Sequence, residues 1–172
     1  MRNGYVQVYT GHGKGKTPAA LGLAVRAAGA GFTVFIAQFI KSRKCSEHKA
    51  LERFADHITI KQYGKGFLMG KKPGAADTRA ARKGYEAVVE ALQERQFDVV
   101  ILDEANVAVH YGLLSAEDLL DLIARRPKDV ELVITGRHAD PRVMDAADLV
   151  TEMREIRHYH KQGVQARRGI EK

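Results

Sequence analysis

The chain has little of several things, and each shortage excludes something. One cysteine in 172 residues, Cys45, rules out an internal disulfide and any multi-cysteine metal site. No apolar run approaches the roughly 20 residues needed to span a bilayer, so no membrane partner is expected. The first four residues lead straight into an apolar run, which does not read as a signal peptide; a cytoplasmic location is expected. The seven histidines show no metal-ligand spacing. No internal repeat, linker or low-complexity tract interrupts the sequence, and its length fits one domain over residues 1–172. With 45% hydrophobic and 28% charged residues, a sizeable core can form.

Acidic residues are also missing from one end. Residues 1–40 carry four basic and no acidic side chains, and residues 41–83 carry twelve basic against four acidic. Residues 84–153 reverse the balance with six against fifteen, and a basic tail over 154–172 has six against two. The net charge of +7 therefore sits around the N-terminal half, which suits an anionic ligand: a nucleotide, a phosphate-bearing cofactor or nucleic acid.

The pattern along the chain alternates strands with helices. Apolar strand candidates fall at residues 5–9, 33–37, 58–63, 97–102, 131–135 and 149–153. Helices are expected at 19–28, 47–54 and 75–94, from Ser115 through 124, where Ser115 and Asp118 form a near capping box, and from Asp140-Pro141 to 147. Several strands are apolar throughout. That predicts an α/β fold, a mostly parallel sheet with helices on both faces. Residues 64–74, with four glycines, a proline and lysines, predict a mobile cationic loop.

The first strand ends in Thr10-Gly11-His12-Gly13-Lys14-Gly15-Lys16-Thr17-Pro18. A strand, a glycine-rich turn and a helix opening at Lys-Thr are the context of a phosphate-binding P-loop. Glycines let backbone N–H groups converge on phosphate oxygens, and the helix N-terminus adds partial positive charge. Lys16 adds a full charge, and Thr17 can ligate Mg²⁺. Thr10 stands where the common pattern has glycine. The plainer alternative is a glycine-rich turn that serves only sheet packing. A second apolar strand ends in Asp103-Glu104, acids placed at the sheet edge where open α/β folds bind ligands and able to hold Mg²⁺. Together the two segments predict an ATP or GTP site. Arg26, ten residues after Lys16, and Arg137, at the end of another strand, are further phosphate-contact candidates. Phe67-Leu68-Met69 is an apolar island in the cationic loop, either a staple for that loop or a contact for a flat apolar ligand.

These residues resemble a family. The segment from Gly11 to Thr17, Gln38-Phe39-Ile40-Lys41, Gly66-Phe67, the strand ending Asp103-Glu104, Thr135-Gly136-Arg137 and the tail from His158 to Gly169-Ile170-Glu171 are similar to the P-loop ATP:corrinoid adenosyltransferases of cobalamin biosynthesis and salvage. The resemblance implies a RecA-like P-loop NTPase fold and a homodimer. It also implies transfer of the 5′-deoxyadenosyl group of ATP to the cobalt(I) of a reduced corrinoid, with release of triphosphate. A flavoprotein often supplies the electrons. The implied ATP-binding residues are Gly11, His12, Gly13, Lys14, Gly15, Lys16, Thr17, Pro18, Arg26 and Arg137, with Mg²⁺ on Thr17 and Glu104, Lys16 and Glu104 catalytic, and Phe67 and Met69 against the corrinoid. His12 stands for a frequent asparagine, Pro18 for a frequent second threonine, and Met69 for the tryptophan of some members. The chain starts almost at its first strand, without the N-terminal extension that some members fold over the site, so looser corrinoid binding is expected. Two other readings share the loop. An ordinary P-loop NTPase or small kinase would cleave ATP at the γ-phosphate, with Asp103 or Glu104 orienting the nucleophile. An ATP-dependent nucleic-acid binder would use the lysines, but it normally stacks bases on several aromatics, where this loop has only Phe67, so no nucleic-acid partner is expected.

Overall fold

A computed structural model describes residues 3–66 and 72–171. Six strands form one sheet, β1 (Val6–Thr10), β2 (Val34–Gln38), β3 (Ile58–Gln62), β4 (Val99–Asp103), β5 (Glu131–Thr135) and β6 (Leu149–Glu152), in the order β3-β2-β4-β5-β1-β6. Every pairing is parallel.

Residues alternate between the two faces of each strand, and in β2, β4 and β5 both faces are buried. Val34, Ile36, Val99, Ile101 and Val133 face α1 (Lys16–Gly29) and α2 (Ser46–Leu51), meeting Ala20, Ala24, Ala27, Ala28 and Leu51. Val8, Phe35, Ala37, Val100, Leu102, Leu132 and Ile134 face α3 (Ala75–Gln93), α4 (Ala105–His110), α5 (Ala116–Arg125) and α6 (Pro141–Asp145), through Val88, Leu92, Ala108, Leu119, Leu122 and Val143. The small alanines of α1 bring its axis close to the sheet, which fixes the height of the helix start above the strand ends.

Local signals mostly set the boundaries. Ser115 Oγ accepts from the Asp118 N–H at 3.1 Å while Asp118 accepts from the Ser115 N–H at 2.8 Å, the reciprocal cap that opens α5. Asp140 caps α6 by accepting from the Arg142 N–H at 2.9 Å, with Pro141 in the first turn. That helix stops at Asp145, short of the expected 147. The helix expected over 47–54 is α2 followed by a 3₁₀ turn at Glu52–Phe54. Two elements lay outside the sequence expectations: α4, launched from Glu104, and a 3₁₀ turn at Tyr159–Gln162 in the tail. The cationic loop expected over 64–74 falls partly on 67–71, outside the described residues. Among the described residues, no helix is long and apolar enough to cross a membrane.

Candidate functional site

β1, β2, β4 and β5 all end at one sheet edge, and the phosphate-loop candidate is built there. Gly15, the residue before α1, has φ +121°, and Gly11 has φ +94°, conformations that glycine adopts without strain. A Cβ on Gly11 or Gly13 would stand 2.5 or 2.7 Å from the Met153 carbonyl oxygen, so both positions also need glycine for space. The Gly13 N–H donates to that same carbonyl at 2.6 Å, and β6 thereby braces the loop from outside. Thr10 has a structural use, its hydroxyl accepting from the Ala139 N–H at 3.3 Å. Lys16 is buried and its ammonium bends back to donate to the Gly11 and Gly13 carbonyls, each at 2.7 Å. Burial and then the Arg137 charge pull its pKa down, with Glu104 acting in the opposite sense.

Asp103, fully buried, is the hub of the site. Its Oδ1 accepts from the hydroxyls of Thr17 and Thr135, both at 2.8 Å. Its Oδ2 accepts from Gln38 Nε2 at 3.1 Å and from the Lys41 ammonium at 3.0 Å. Register explains the amide contact, because Gln38 lies opposite Asp103 across β2 and β4. Gln38 also lies opposite Gln62 in β3, whose Nε2 donates to Gln38 Oε1 at 3.3 Å. A polar chain thus runs along the edge from β3 to α1.

Lys41 reaches Asp103 because Ile40 turns the backbone with φ +66°, an unfavourable value for a β-branched residue. The Ile40 carbonyl accepts from the Gly66 N–H at 3.0 Å, and Gly64 presses so closely that a Cβ there would stand 2.1 Å from the Ile40 carbonyl carbon. Lys41 also donates to Thr17 Oγ1 at 3.3 Å. Burial works against the Lys41 charge, yet Asp103 outweighs it and holds the ammonium above its ordinary pKa. Glu104, likewise left-handed at φ +63°, is anchored by its N–H to Thr135 Oγ1 at 3.0 Å. Its carboxyl is pushed up by burial and by the neighbouring Asp103 charge, against the pull of Lys41, Lys16 and Arg137.

Between these groups lies a cavity of about 600 Å³, a volume suited to a nucleotide. Loop residues 13–18, Lys41, Glu104 and Arg137 form its polar side; Leu21, Ala50 and Ile170 are apolar wall. The tail closes the remaining side. The Glu171 carboxylate accepts from Lys14 Nζ at 2.9 Å, from the Tyr159 hydroxyl, and from the Arg167 N–H at 2.8 Å. Tyr159 first and then Lys14 hold this carboxyl well below the usual carboxylate range. His158 also lines the cavity rather than standing in solvent, and its Nδ1 accepts from the His160 N–H at 3.0 Å.

Of the residues singled out in the sequence, Gly13, Lys14, Gly15, Lys16, Thr17, Pro18, Glu104 and Arg137 line this cavity. Gly11 contributes a carbonyl to Lys16, while the His12 ring sits edge-on to His138, 5.1 Å between centroids. Arg26, like Gly11 and His12, does not line the cavity; it lies exposed in the last turn of α1. Ten residues of helix place it about 15 Å along the axis from Lys16. Phe67 and Met69 lie outside the described residues. Lys41, Gln38, Thr135 and Glu171 are site residues that motif reading did not single out; the Gln38-to-Lys41, Thr135-to-Arg137 and tail segments carried them only as parts of a resemblance.

The donor set fits Mg²⁺. The Thr17 hydroxyl and Asp103 carboxylate are 2.8 Å apart with Glu104 adjacent in sequence, all hard oxygen donors, and the Lys41 ammonium already rests against the first two as a stand-in cation. Among the described residues, no three His, Cys, Asp or Glu side chains gather as a metal-binding group, so a divalent ion here depends on phosphate oxygens as well.

Sheet, loop and paired acids define a P-loop NTPase-like α/β protein. Comparison with known proteins narrows this. Residues 2–171 match the family model described as ATP:corrinoid adenosyltransferase BtuR/CobO/CobP. The chain is 34% identical to the corrinoid adenosyltransferase of Pseudomonas aeruginosa, over 98% of this chain and 83% of that protein. It is 34% identical to the corrinoid adenosyltransferase of Escherichia coli and 35% to that of Salmonella typhimurium, in each case over 98% of this chain and 85% of the relative. The chain belongs to the ATP:corrinoid adenosyltransferase family, a family of transferases.

Proposed function

We propose that the chain transfers the 5′-deoxyadenosyl group of ATP to the cobalt(I) of a reduced corrinoid, in the formation or salvage of adenosylcobalamin. The observation that carries this reading is the joining of a phosphate loop to a buried Asp103–Lys41–Thr17 cluster at one cavity, in a chain of this family. The cobalt(I) electron pair attacks C5′, the Co–C bond forms, and the C5′–O bond breaks. Triphosphate leaves with the bonding pair, and the cobalt is formally oxidised by two electrons. The metal brings its own nucleophilicity, so what the protein supplies is position and charge. Lys16 leaves the loop carbonyls to meet phosphate oxygens, Arg137 adds charge from just beyond β5, and the N–H groups of residues 14–17 receive the remaining oxygens. Thr17 and Glu104, with Asp103 beside them, would hold Mg²⁺, which when bound neutralises charge on the triphosphate. Ile170, Leu21 and Ala50 offer apolar surface to the nucleoside.

Three further parts of the proposal rest on the resemblance: Phe67 and Met69 against the corrinoid, a flavoprotein as electron donor, and a homodimer. Leu149, Val150 and Ile156, exposed on and beyond the edge strand β6, offer apolar surface for the last of these. Anaerobic incubation with cob(I)alamin, ATP and Mg²⁺ tests the reaction. Adenosylated corrinoid with intact triphosphate is expected. An unchanged corrinoid with ADP and phosphate would make the chain a γ-phosphate-cleaving enzyme, with Glu104 as the water-orienting group.

A further inference from the structure

A second cavity, of about 360 Å³, opens on the same sheet edge beyond the polar chain. Its walls are the end of β3 and the following turn, Gln62 to Lys65, and the first half of α3, where Arg79 and Lys83 project one turn apart. It shares no lining residue with the nucleotide cavity. The two are nonetheless connected, because Gln62 forms part of this wall and donates to Gln38, which donates to Asp103 and hence meets Thr17.

The charge of this cavity is uncompensated. Several other cations are matched, Lys14 with Glu171, Lys41 with Asp103, Arg82 with Asp118, and Arg142 with Asp140 and Glu117. Among the described residues, Lys65, Arg79 and Lys83 form no ion pair, and no acidic side chain lines their cavity. Arg79 and Lys83, four residues apart on one helix, repel each other. Three unpaired cations converging on a concave site fit an oxyanion.

Resting on the proposed adenosyl transfer, we infer that this cavity binds an oxyanion carried on the periphery of the corrinoid substrate and so sets which corrinoid is preferred. β2 lies between β3 and β4, each about 4.8 Å away, so Gln62 stands only about 10 Å along the edge from Asp103. A corrinoid that meets the nucleotide beside Asp103 would therefore have its edge within reach of these cations. Two sources share the chemistry. A complete corrinoid carries one phosphodiester, in its lower nucleotide arm, and an incomplete acid precursor carries free carboxylates.

The double variant Arg79→Gln/Lys83→Gln, at exposed helix positions where glutamine preserves helix propensity, separates these sources. KM is measured with cobalamin, with cobyrinic acid a,c-diamide, and with cobinamide, which has neither a phosphodiester nor free carboxylates. KM is expected to rise about five- to tenfold for an oxyanion-bearing corrinoid, with KM for ATP, KM for cobinamide and the thermal midpoint nearly unchanged. A rise with cobalamin alone identifies the phosphodiester, and a rise with the diamide alone identifies a carboxylate. Lys65→Gln, from the opposite wall, should reproduce the same selectivity. Equal rises for all three corrinoids, or no rise for any, would overturn the subsite while leaving the reaction intact. If the wild-type chain adenosylates none of them, the functional reading fails and takes the subsite with it.

Discussion

Replacing Lys41 by methionine tests how the site is held together. Lys41→Met keeps most of the aliphatic stem and removes the charge. Asp103 then keeps three neutral donors, Thr17, Thr135 and Gln38, and loses its only full positive contact among the described residues. Deleting one partner of a buried ion pair costs about 3–5 kcal/mol when the survivor is left unpaired. The three remaining donors, at about 1 kcal/mol net each, relieve part of that. The side chains of Lys41 and Asp103 are only 16% and 1% exposed, so solvent screening is weak. A loss of about 2 kcal/mol is expected, at least twice what an exposed pair contributes. Urea denaturation without nucleotide or metal should show a lower midpoint at unchanged slope, and the thermal midpoint should fall by about 4–8 °C.

The pH dependence has a definite sign. Because the Lys41 ammonium is held above its ordinary pKa, its stabilisation is fully present below the unfolded value of about 10.4 and fades as pH rises through the folded one. The gap between wild type and Lys41→Met should therefore be flat from neutral pH to about pH 10 and close above it. Adding ATP with Mg²⁺ should also narrow the gap, because on the proposed reading a divalent cation then supplies positive charge beside Asp103. A variant as stable as wild type at pH 7 would refute the reasoning, since the ammonium would then contribute nothing to holding Asp103.

Three other perturbations probe separate parts. Lys16→Ala removes both charge and donor from the loop and should weaken ATP binding at least about 100-fold in calorimetry; unchanged affinity would remove the phosphate-loop assignment. Glu171→Gln should free the tail, seen as faster tryptic cleavage after Arg167 and Arg168. Because the Glu171 carboxyl is held low, amide hydrogen-exchange protection of the wild-type tail should persist as pH falls past the unfolded glutamate value of about 4.3 and fade only on further acidification; equal tryptic cleavage rates at neutral pH would show that the carboxylate does not tie the tail down. Gly64→Ala places a Cβ 2.1 Å from the Ile40 carbonyl carbon, which should cost about 3 kcal/mol or more in urea denaturation and disturb Lys41 through Ile40; an undisturbed midpoint would mean that this approach is readily relaxed.

The parts of the site legible in sequence are those coded locally. The phosphate loop is one strand, one glycine-rich turn and one helix start within a dozen residues, so composition and spacing expose it. The acids at the end of β4 are visible because the apolar run Val99 to Leu102 precedes them. Lys41 was not identifiable as the partner of Asp103, because 62 residues separate them and the contact depends on β2 lying beside β4. Strand order is non-local in the same way. The helix α4 escaped notice because it starts from a left-handed Glu104 with no side-chain cap to announce it. Counting charge marked the tail as basic, yet its organising residue is one of its two acids, Glu171. Arg26 is the reverse case: a role implied by resemblance, at a position that the helix places away from the cavity lining.

The strained residues show why the site and the sheet depend on each other. Among the described residues, three of the four non-glycine residues with positive φ, Ile40, Glu104 and His138, lie within three residues of the ends of β2, β4 and β5. Such conformations cost about 1–3 kcal/mol each and persist only where neighbours hold them. Those neighbours come from other strands. Ile40 is held by Gly64 and Gly66 after β3, Glu104 by the Thr135 hydroxyl at the end of β5, and His138 stacks at 4.0 Å on His110 of α4. Two of these turns aim Lys41 and Glu104 at the cavity, so the cationic and acidic groups meet only after β2, β3, β4 and β5 have paired. A change that loosens β3, remote from any phosphate, should therefore reach Asp103 through Gly64, Ile40 and Lys41. The polar chain from Gln62 through Gln38 gives it a second route. Occupancy of the cationic cavity beside β3 acts on the same two connections, and on this reading corrinoid binding stiffens the nucleotide site before any bond to cobalt forms.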